Sequence, residues 1–292
     1  MQRRSARPLA WGVGLYVLLF VAMYAMIRAD LVAMDPCFST EGLGDLCYCE
    51  RFHDGLVKQP ANTWTNLAFG LVGFAVLGDV AWSAPRPDNR FTRDTFYPAW
   101  YGLLALYLGP ASMVFHASYT YWAGILDGAA MYVWLSFVLV YNLVRLFDWS
   151  RATAFAVWAA VNALWLTLRI TIPNQGSAVS SSTLLFVALL CAMMASMAAV
   201  LLRGRVRTSP SGAAWLFASI FAFAGGLLVW LQSGTGGPWC RPDSPLQGHA
   251  AWHVAAAAAV AALYVHLRGS VDAAGASEVA ASVSPDAKRR NA

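Results

Sequence analysis

Residues 96–145 read FYPAWYGLLALYLGPASMVFHASYTYWAGILDGAAMYVWLSFVLVYNLVR. This stretch contains two apolar segments, 96–116 and 122–145, which are separated by a connection of only a few residues. A helix needs ~20 mostly apolar residues, each rising ~1.5 Å, to cross the hydrocarbon core of a bilayer. The stretch therefore predicts two antiparallel membrane-spanning helices joined by a short turn.

Six further apolar segments of similar length flank this pair. They lie at 11–28, 64–82, 152–170, 179–202, 213–232 and 247–268. Of the 292 residues, 59% are hydrophobic and 12% are charged, whereas a soluble domain carries ~25% charged residues. The sequence therefore predicts an all-α fold, a polytopic transmembrane helical bundle with eight spans.

The basic residues predict how these spans are oriented. If the N-terminus is cytoplasmic, most of the 20 Lys and Arg residues lie in cytoplasmic loops or tails. The exceptions on the opposite side are Arg28, Arg51, Lys58, Arg169 and Arg241. This asymmetry follows the positive-inside rule and predicts that both termini are cytoplasmic. The Ala-rich, Arg-over-Lys composition favours a bacterial inner membrane, and the absence of any DNA- or RNA-binding module excludes nucleic acid as an expected partner.

Four regions follow from this topology. Residues 1–28 form a basic cytoplasmic N-terminus with an extra transmembrane helix, and residues 29–63 form a non-cytoplasmic loop. Residues 64–268 form a core of seven helices, and residues 269–292 form a disordered cytoplasmic tail. The first apolar run also fits a secretory signal, but it ends in Ala25-Met26-Ile27-Arg28 without a small-x-small cleavage pattern, which favours a retained helix.

Cysteines are concentrated on the predicted outer side. Cys37, Cys47, Cys49 and Cys240 fall in outer loops, while Cys191 lies within a span. These four are either unpaired thiols or form one or two disulfides that tie the 29–63 loop to the loop before the last helix. The connectivity cannot be deduced from the sequence.

Ionisable groups within membrane spans are costly and mark functional sites. Five polar residues stand out, all predicted near the outer membrane face: Ser112, His116, Asp127, His249 and His253. The spacing of four residues places Ser112 beside His116, and His249 beside His253, on one side of a helix. Three histidines with a carboxylate and a hydroxyl are typical of a catalytic zinc site, which has three protein ligands and an open position for water.

Each of these residues also has a plainer interpretation. One histidine of an HxxxH pair can bond to a carbonyl while the other faces lipid headgroups, and transmembrane histidines also bind haem. The convergence of all five favours the metal site over both alternatives. His53 and His266 are interpreted as surface groups.

Three blocks of sequence resemble the alkaline ceramidases, within the larger group of seven-helix membrane hydrolases that includes the adiponectin-receptor relatives. They are QPANTWTNLAF at 59–69, Ser112-x-x-x-His116 followed by Asp127, and His249-x-x-x-His253. The resemblance covers residues 49 to about 268. It implies a seven-helix core with the 11–28 helix as an addition, zinc held by His116, His249 and His253, and catalytic roles for Ser112 and Asp127.

The resemblance also implies an activity. The expected reaction is zinc-dependent hydrolysis of the N-acyl amide bond of ceramide, or of another N-acyl lipid drawn from the membrane, to a sphingoid base and a fatty acid. The alternative is a zinc-containing membrane receptor or sensor of the same superfamily with weak or no hydrolase activity. No feature of the sequence indicates an oligomeric state.

Calcium is the second metal that the resemblance implies. The family's eukaryotic enzymes use acidic residues just before the first core helix, but Cys47 and Gln59 stand here where acids are expected. Ca²⁺ prefers several hard oxygen ligands, so we expect any calcium site to be weak. Glu50 is interpreted as a solvated loop acid, and Asn62, which follows Pro60, as a helix N-cap.

Overall fold

The computed structural model describes residues 7–28, 48–171 and 181–273, and it is almost entirely helical over these ranges. Its helices are α1 Arg7–Arg28, α2 Pro60–Trp64, α3 Leu67–Trp82, α4 Phe96–Ser118, α5 Tyr121–Phe147, α6 Arg151–Thr171, α7 Ser181–Leu202, α8 Pro210–Gln232 and α9 Gly248–Gly269. Two short antiparallel strands, β1 Val206–Arg207 and β2 Val271–Asp272, complete the described elements. The predicted all-α helical bundle is confirmed.

Six of the described helical segments are long and apolar enough to cross a membrane. They are Pro60–Trp82, which joins α2 and α3, together with α5, α6, α7, α8 and α9. Helix α4 has 23 residues, but its tyrosines, prolines and His116 lower its mean hydropathy. The predicted segments match these helices to within a few residues at most ends, and the chain is a multi-pass integral membrane protein.

The entry to the first core helix differs from the prediction. The helical segment begins at Pro60 rather than at residue 64, and Gln59, not Asn62, occupies the N-cap position. Pro60 stands at N1, where its fixed φ and missing N–H suit the start of a helix. The N-cap prediction for Asn62 is wrong because Pro60 starts the helix three residues earlier than that prediction implies.

Helices α4, α5 and α9 lie at the centre of the bundle, and α6 to α8 lie at its periphery. Most of α4 is buried, whereas only Ala154 and Trp165 are buried in α6. The start of α3 approaches α4 closely at Gly109, where a Cβ would lie 2.9 Å from the Asn66 carbonyl oxygen. Small residues permit such close helix contacts in membranes, and this contact brings Asn66 next to the polar end of α4.

Helix α1 packs against α3 and α4. Its Tyr16 ring lies over Gly70 of α3, where any larger residue would clash with the phenol. Tyr16 also contacts Phe74 edge-on, with 5.1 Å between ring centroids. The extra helix therefore has a specific packing position beside the core, although its retention in the mature protein stays a prediction.

The end of the bundle opposite the α4–α5 turn is closed by residues just after α9. Asp272 pairs with the fully buried Arg145 at 3.3 Å, and Ser270 accepts a bond of 2.9 Å from the same guanidinium. The Asp272 carboxylate also accepts from the Arg90 backbone N–H. Residues 270–273, which were predicted to belong to a disordered tail, are therefore packed against the bundle, and residues 274–292 lie outside the described ranges.

His266 also departs from its prediction. Its ring is 1% exposed, and its Nδ1 lies 2.9 Å from the Gly212 carbonyl oxygen of α8. The surface interpretation was wrong because α8 packs over this face of α9. His53, by contrast, is exposed as expected.

Removal of the Asp272 carboxylate should destabilise the bundle strongly. We expect Asp272→Ala to lower the free energy of unfolding by about 3–5 kcal/mol, because it leaves the buried Arg145 charge without its counter-ion. The change is measured by denaturation of the purified protein in detergent. Asp88→Ala is the control, since its ion pair with Arg86 is partly exposed and is worth at most ~1 kcal/mol. Equal losses in the two variants would contradict the prediction.

Candidate metal centre

Three histidines converge where α4 ends and α9 begins. His116 lies in the last turn of α4, while His249 and His253 lie one turn apart at the start of α9. All three rings are buried. One nitrogen from each ring lies within 4.8 Å of the others, and the Nε2 atoms of His116 and His249 are 3.2 Å apart. The three histidines that were predicted from the sequence are thus brought together.

The donor set fits a zinc ion. Two nitrogens bound to a tetrahedral zinc at ~2.0–2.1 Å would be separated by ~3.3 Å, close to the 3.2 Å between these Nε2 atoms. Two unprotonated ring nitrogens at this distance repel each other unless a cation or a proton lies between them. Three neutral imidazoles in a buried site are therefore an arrangement that a divalent metal stabilises.

Polar groups of the α2–α3 entry orient two of these rings. The Nδ1 atom of His116 lies 2.9 Å from Gln59 Oε1. The Nδ1 atom of His253 lies 3.2 Å from Thr65 Oγ1 and 3.1 Å from Asn66 Nδ2. The Thr65 hydroxyl gives its own proton to the Ala61 carbonyl oxygen, so its oxygen can accept from His253 Nδ1, whereas the Asn66 NH₂ group can only donate. When Nδ1 donates to Gln59 Oε1 in His116, or to Thr65 Oγ1 in His253, the lone pair of Nε2 in that ring is left for a metal. Partners of this kind fix ligand orientation in metal sites.

Gln59, Thr65 and Asn66 were not predicted as site residues. All three belong to the 59–69 block on which the family resemblance rests. The sequence feature that could have identified them as site residues is the cluster of polar side chains at the start of an apolar span. It was interpreted as helix capping because its distant partners cannot be seen in the sequence.

Asp127 and Ser112 lie next to the histidines but outside the three-nitrogen cluster. The Ser112 side chain lies beside the Asp127 carboxylate. Both side chains line the same cavity as His249 and His253. The group of clustered metal-binding side chains thus does not include Asp127.

Tyr48 covers the cluster from the loop before α2. Its ring lies against His249, with 3.9 Å between centroids, and is 5.0 Å from the His116 ring. Burial, followed by the charge of the nearby Asp127, raises the pKa of Tyr48 well above its ordinary value. Its side chain therefore stays a neutral phenol beside the site. Nothing in the sequence singled out this tyrosine.

A disulfide holds this loop in place. Cys49 is bonded to Cys240, which joins the loop before α2 to the loop before α9. This confirms the prediction of at least one disulfide between these loops, while Cys37 and Cys47 lie outside the described residues. Cys191 is a free, exposed thiol on α7.

Glu50, next to this disulfide, caps helix α2 from outside. Its carboxylate accepts bonds from the backbone N–H groups of Ala61 at 2.7 Å and Asn62 at 2.8 Å. Burial raises the pKa of Glu50, and these two bonds oppose that shift. The interpretation as a solvated acid was wrong, because the loop folds inward onto the helix start. Calcium binding stays a prediction, since Glu50 serves the helix and residue 47 lies outside the described ranges.

A cavity of about 310 Å³ extends from the histidines into the bundle. Most of its polar lining lies around the metal centre, with Ser219 of α8 as an exception. The rest is apolar and comes mainly from α5, α7, α8 and α9, including Met131, Phe186, Met193, Phe223, Trp230 and Trp252. Along α9 the lining runs from His249 to Leu263, a length of ~21 Å at ~1.5 Å per residue. Met194 and Ile220 line the cavity and are also exposed on the outer surface, so the cavity reaches the lipid-facing side between α7 and α8.

Comparisons with known proteins identify the family. The model of the family described as Ceramidase matches residues 46–272, which is most of the chain. No curated protein and no solved structure matches the sequence. The matched range includes the three histidines, Ser112 and Asp127, and it ends at the residue that pairs with the buried Arg145. The chain belongs to the ceramidase family.

Proposed function

We propose that this protein is a zinc-dependent intramembrane amidohydrolase that cleaves the N-acyl amide bond of ceramide-like lipids. The observation that carries the proposal is the convergence of three histidine nitrogens within 4.8 Å of one another at the end of an elongated apolar cavity. Family membership supports amide hydrolysis as the reaction class. The products are a fatty acid and a sphingoid base.

His116, His249 and His253 are the residues that would hold the metal. Three protein ligands of this type are characteristic of catalytic zinc sites. Bound zinc supplies a Lewis acid that polarises a carbonyl and makes water an effective nucleophile at neutral pH. Gln59 and Thr65 hold the ligand rings from behind.

Asp127 is the residue to which we assign proton transfer. Its carboxylate takes a proton from the attacking water as the water oxygen bonds to the amide carbon. It then delivers this proton to the amide nitrogen, so the C–N bond breaks and the amine leaves without a negative charge. A positioned side chain of this kind is typical of general acid–base catalysis.

Ser112 supports the same step. Its side chain lies beside the Asp127 carboxylate and lines the same cavity. From this position the hydroxyl can donate to the oxygen that gains negative charge on the substrate. A donor aimed at a developing oxyanion stabilises the transition state.

The cavity supports a lipid substrate. Its volume lies at the lower end of the ~300–1,000 Å³ range of ligand pockets, and its length along α9 suits an alkyl chain. Met194 and Ile220 mark the side from which a tail can enter from the bilayer. An amide placed beside the histidines would then lie close to the membrane face where α4 ends and α9 begins.

The decisive experiment is a hydrolysis assay on purified protein. Ceramides labelled in the acyl chain should release free fatty acid, and a zinc chelator should stop the release until zinc is added back. Soluble N-acyl amides without long tails are the matched control and should be poor substrates. Zinc binding without hydrolysis of any N-acyl lipid would favour the alternative, a receptor or sensor of the same superfamily.

We further propose that both termini face the cytoplasm, in a bacterial inner membrane, and that the metal centre faces the opposite side. The distribution of Lys and Arg residues supports this orientation. A green fluorescent protein fused after residue 292 should fluoresce, because it folds in the cytoplasm, and alkaline phosphatase fused there should be inactive. The reverse pattern would contradict the orientation.

A further inference from the structure

We propose that Gln59 is a positioning residue of the metal centre. Its side chain fixes which ring nitrogen of His116 carries the proton, and it connects the His116 ring to the disulfide-linked loop. This inference rests on the proposed metal site. Gln59 is 1% exposed and lies at the N-cap position of α2, 57 residues from His116 in the chain. No step of the proposed reaction requires it to touch the substrate.

Gln59 contacts His116 through both its backbone and its side chain. Its backbone N–H donates to the His116 carbonyl oxygen at 3.1 Å, and its Oε1 lies 2.9 Å from His116 Nδ1. The neighbouring Lys58 N–H donates to the Ala117 carbonyl oxygen at 2.9 Å. Two consecutive residues thus bind the end of α4, so the side chain of Gln59 has little freedom to leave the ring.

The surrounding groups decide which way the Gln59 amide points. Its Nε2 donates to the Glu50 carbonyl oxygen at 3.0 Å, while its Oε1 also accepts from Asn62 Nδ2 at 3.2 Å. A flipped amide would place two NH₂ groups against each other and two oxygens against each other. Oε1 therefore faces His116 and can only accept, so Nδ1 of His116 must carry the proton.

This assignment fixes the metal-binding atom of His116. With the proton on Nδ1, the lone pair of Nε2 faces His249 at 3.2 Å, within the three-nitrogen cluster. The partner on the outer nitrogen of a ligating histidine sets ring orientation and ligand basicity, and its loss typically costs 10–100-fold in metal affinity or activity. The amide oxygen of Gln59 accepts a hydrogen bond from the ring N–H without adding a negative charge to the site.

Gln59 also connects the ring to a covalently fixed segment. The Glu50 carbonyl that it contacts follows Cys49, which is bonded to Cys240 near the start of α9. The two helices that supply the histidines are therefore linked through one loop. A glutamine serves this purpose because its NH₂ group reaches the loop while its oxygen reaches the ring.

The test compares Gln59→Met, Gln59→Glu and the wild-type protein. Zinc affinity is measured by competition with a chromophoric chelator, and ligand geometry by the absorption spectrum of the cobalt(II)-substituted protein. Gln59→Met keeps the size of the side chain but loses the acceptor, so it should bind zinc ~10–100-fold more weakly and shift the cobalt spectrum. Gln59→Glu keeps the acceptor toward His116 and makes it more basic but loses the bond to the Glu50 carbonyl oxygen, so it should bind zinc more tightly than Gln59→Met.

Gln247→Met is the matched control. Gln247 is also a buried glutamine at a helix N-cap, and its Nε2 donates to the carbonyl oxygens of Arg241, Pro242 and Ser244 instead of contacting a histidine. It should keep wild-type zinc affinity and the wild-type cobalt spectrum.

Three results would overturn the inference: wild-type affinity in Gln59→Met, equal weakening in Gln59→Glu, or equal weakening in Gln247→Met. If Gln59→Met does not fold, the zinc affinity and cobalt spectrum of Gln59→Glu still test the inference. A wild-type protein that binds neither zinc nor cobalt would instead refute the metal centre itself, and the inference with it.

Discussion

Replacing His253 by alanine is expected to abolish tight zinc binding and lipid hydrolysis together. His253 is one of three histidines whose nitrogens lie within 4.8 Å of one another, and two remaining imidazoles cannot complete the three-ligand shell that catalytic zinc requires. Zinc content is measured by mass spectrometry of the metal after purification, and turnover by fatty acid release.

His266→Ala is the matched control for this variant. His266 is a buried histidine on the same helix, but its Nδ1 contacts the Gly212 carbonyl oxygen at the opposite end of α9. It should keep its zinc even if it loses some stability. If His253→Ala retained a full equivalent of zinc, the assignment of the ligands would be wrong.

Replacing Asp127 by asparagine should separate the chemistry from metal binding. The asparagine keeps the shape of the side chain and leaves the three histidines in place, so most of the zinc should remain. It cannot take a proton from water, and general acid–base groups contribute ~10²- to 10⁴-fold in rate. We therefore expect kcat to fall by a factor within this range at nearly unchanged zinc content.

Ser112→Ala gives the comparison for this result. Its hydroxyl is a single donor, and the loss of one oxyanion donor costs ~10²- to 10³-fold. The kcat of Ser112→Ala should therefore fall by no larger a factor than the kcat of Asp127→Asn. Near wild-type turnover of Asp127→Asn on every N-acyl lipid tested would show that Asp127 has only a structural role and that the proposed mechanism is wrong.

Local sequence patterns were enough to predict the helices and the three histidines. A span is specified by its own ~20 apolar residues, because the bilayer acts on each helix separately. The pairing of His249 with His253 follows from helical periodicity alone. The short connection from His116 to the next span similarly predicted that Asp127 would lie near the end of α4.

Errors arose where a residue depends on partners that are far away in the chain. Glu50 was interpreted as a solvated acid, yet it is buried against the start of α2. His266 was interpreted as a surface group, yet α8 covers it. In both cases the ionisable side chain suggested exposure to water. A neighbouring element covers the side chain instead and supplies its hydrogen-bond partners.

Short stretches of residues were therefore enough to predict the membrane environment of this protein, its helical class, its three clustered histidines and its family. The groups that surround these histidines, by contrast, are set by the packing of the helices. Gln59 meets His116 across 57 residues, and Thr65 meets His253 across 188. Such contacts depend on how whole helices pack, since the close approach of α3 to α4 and the Cys49–Cys240 disulfide bring these side chains together.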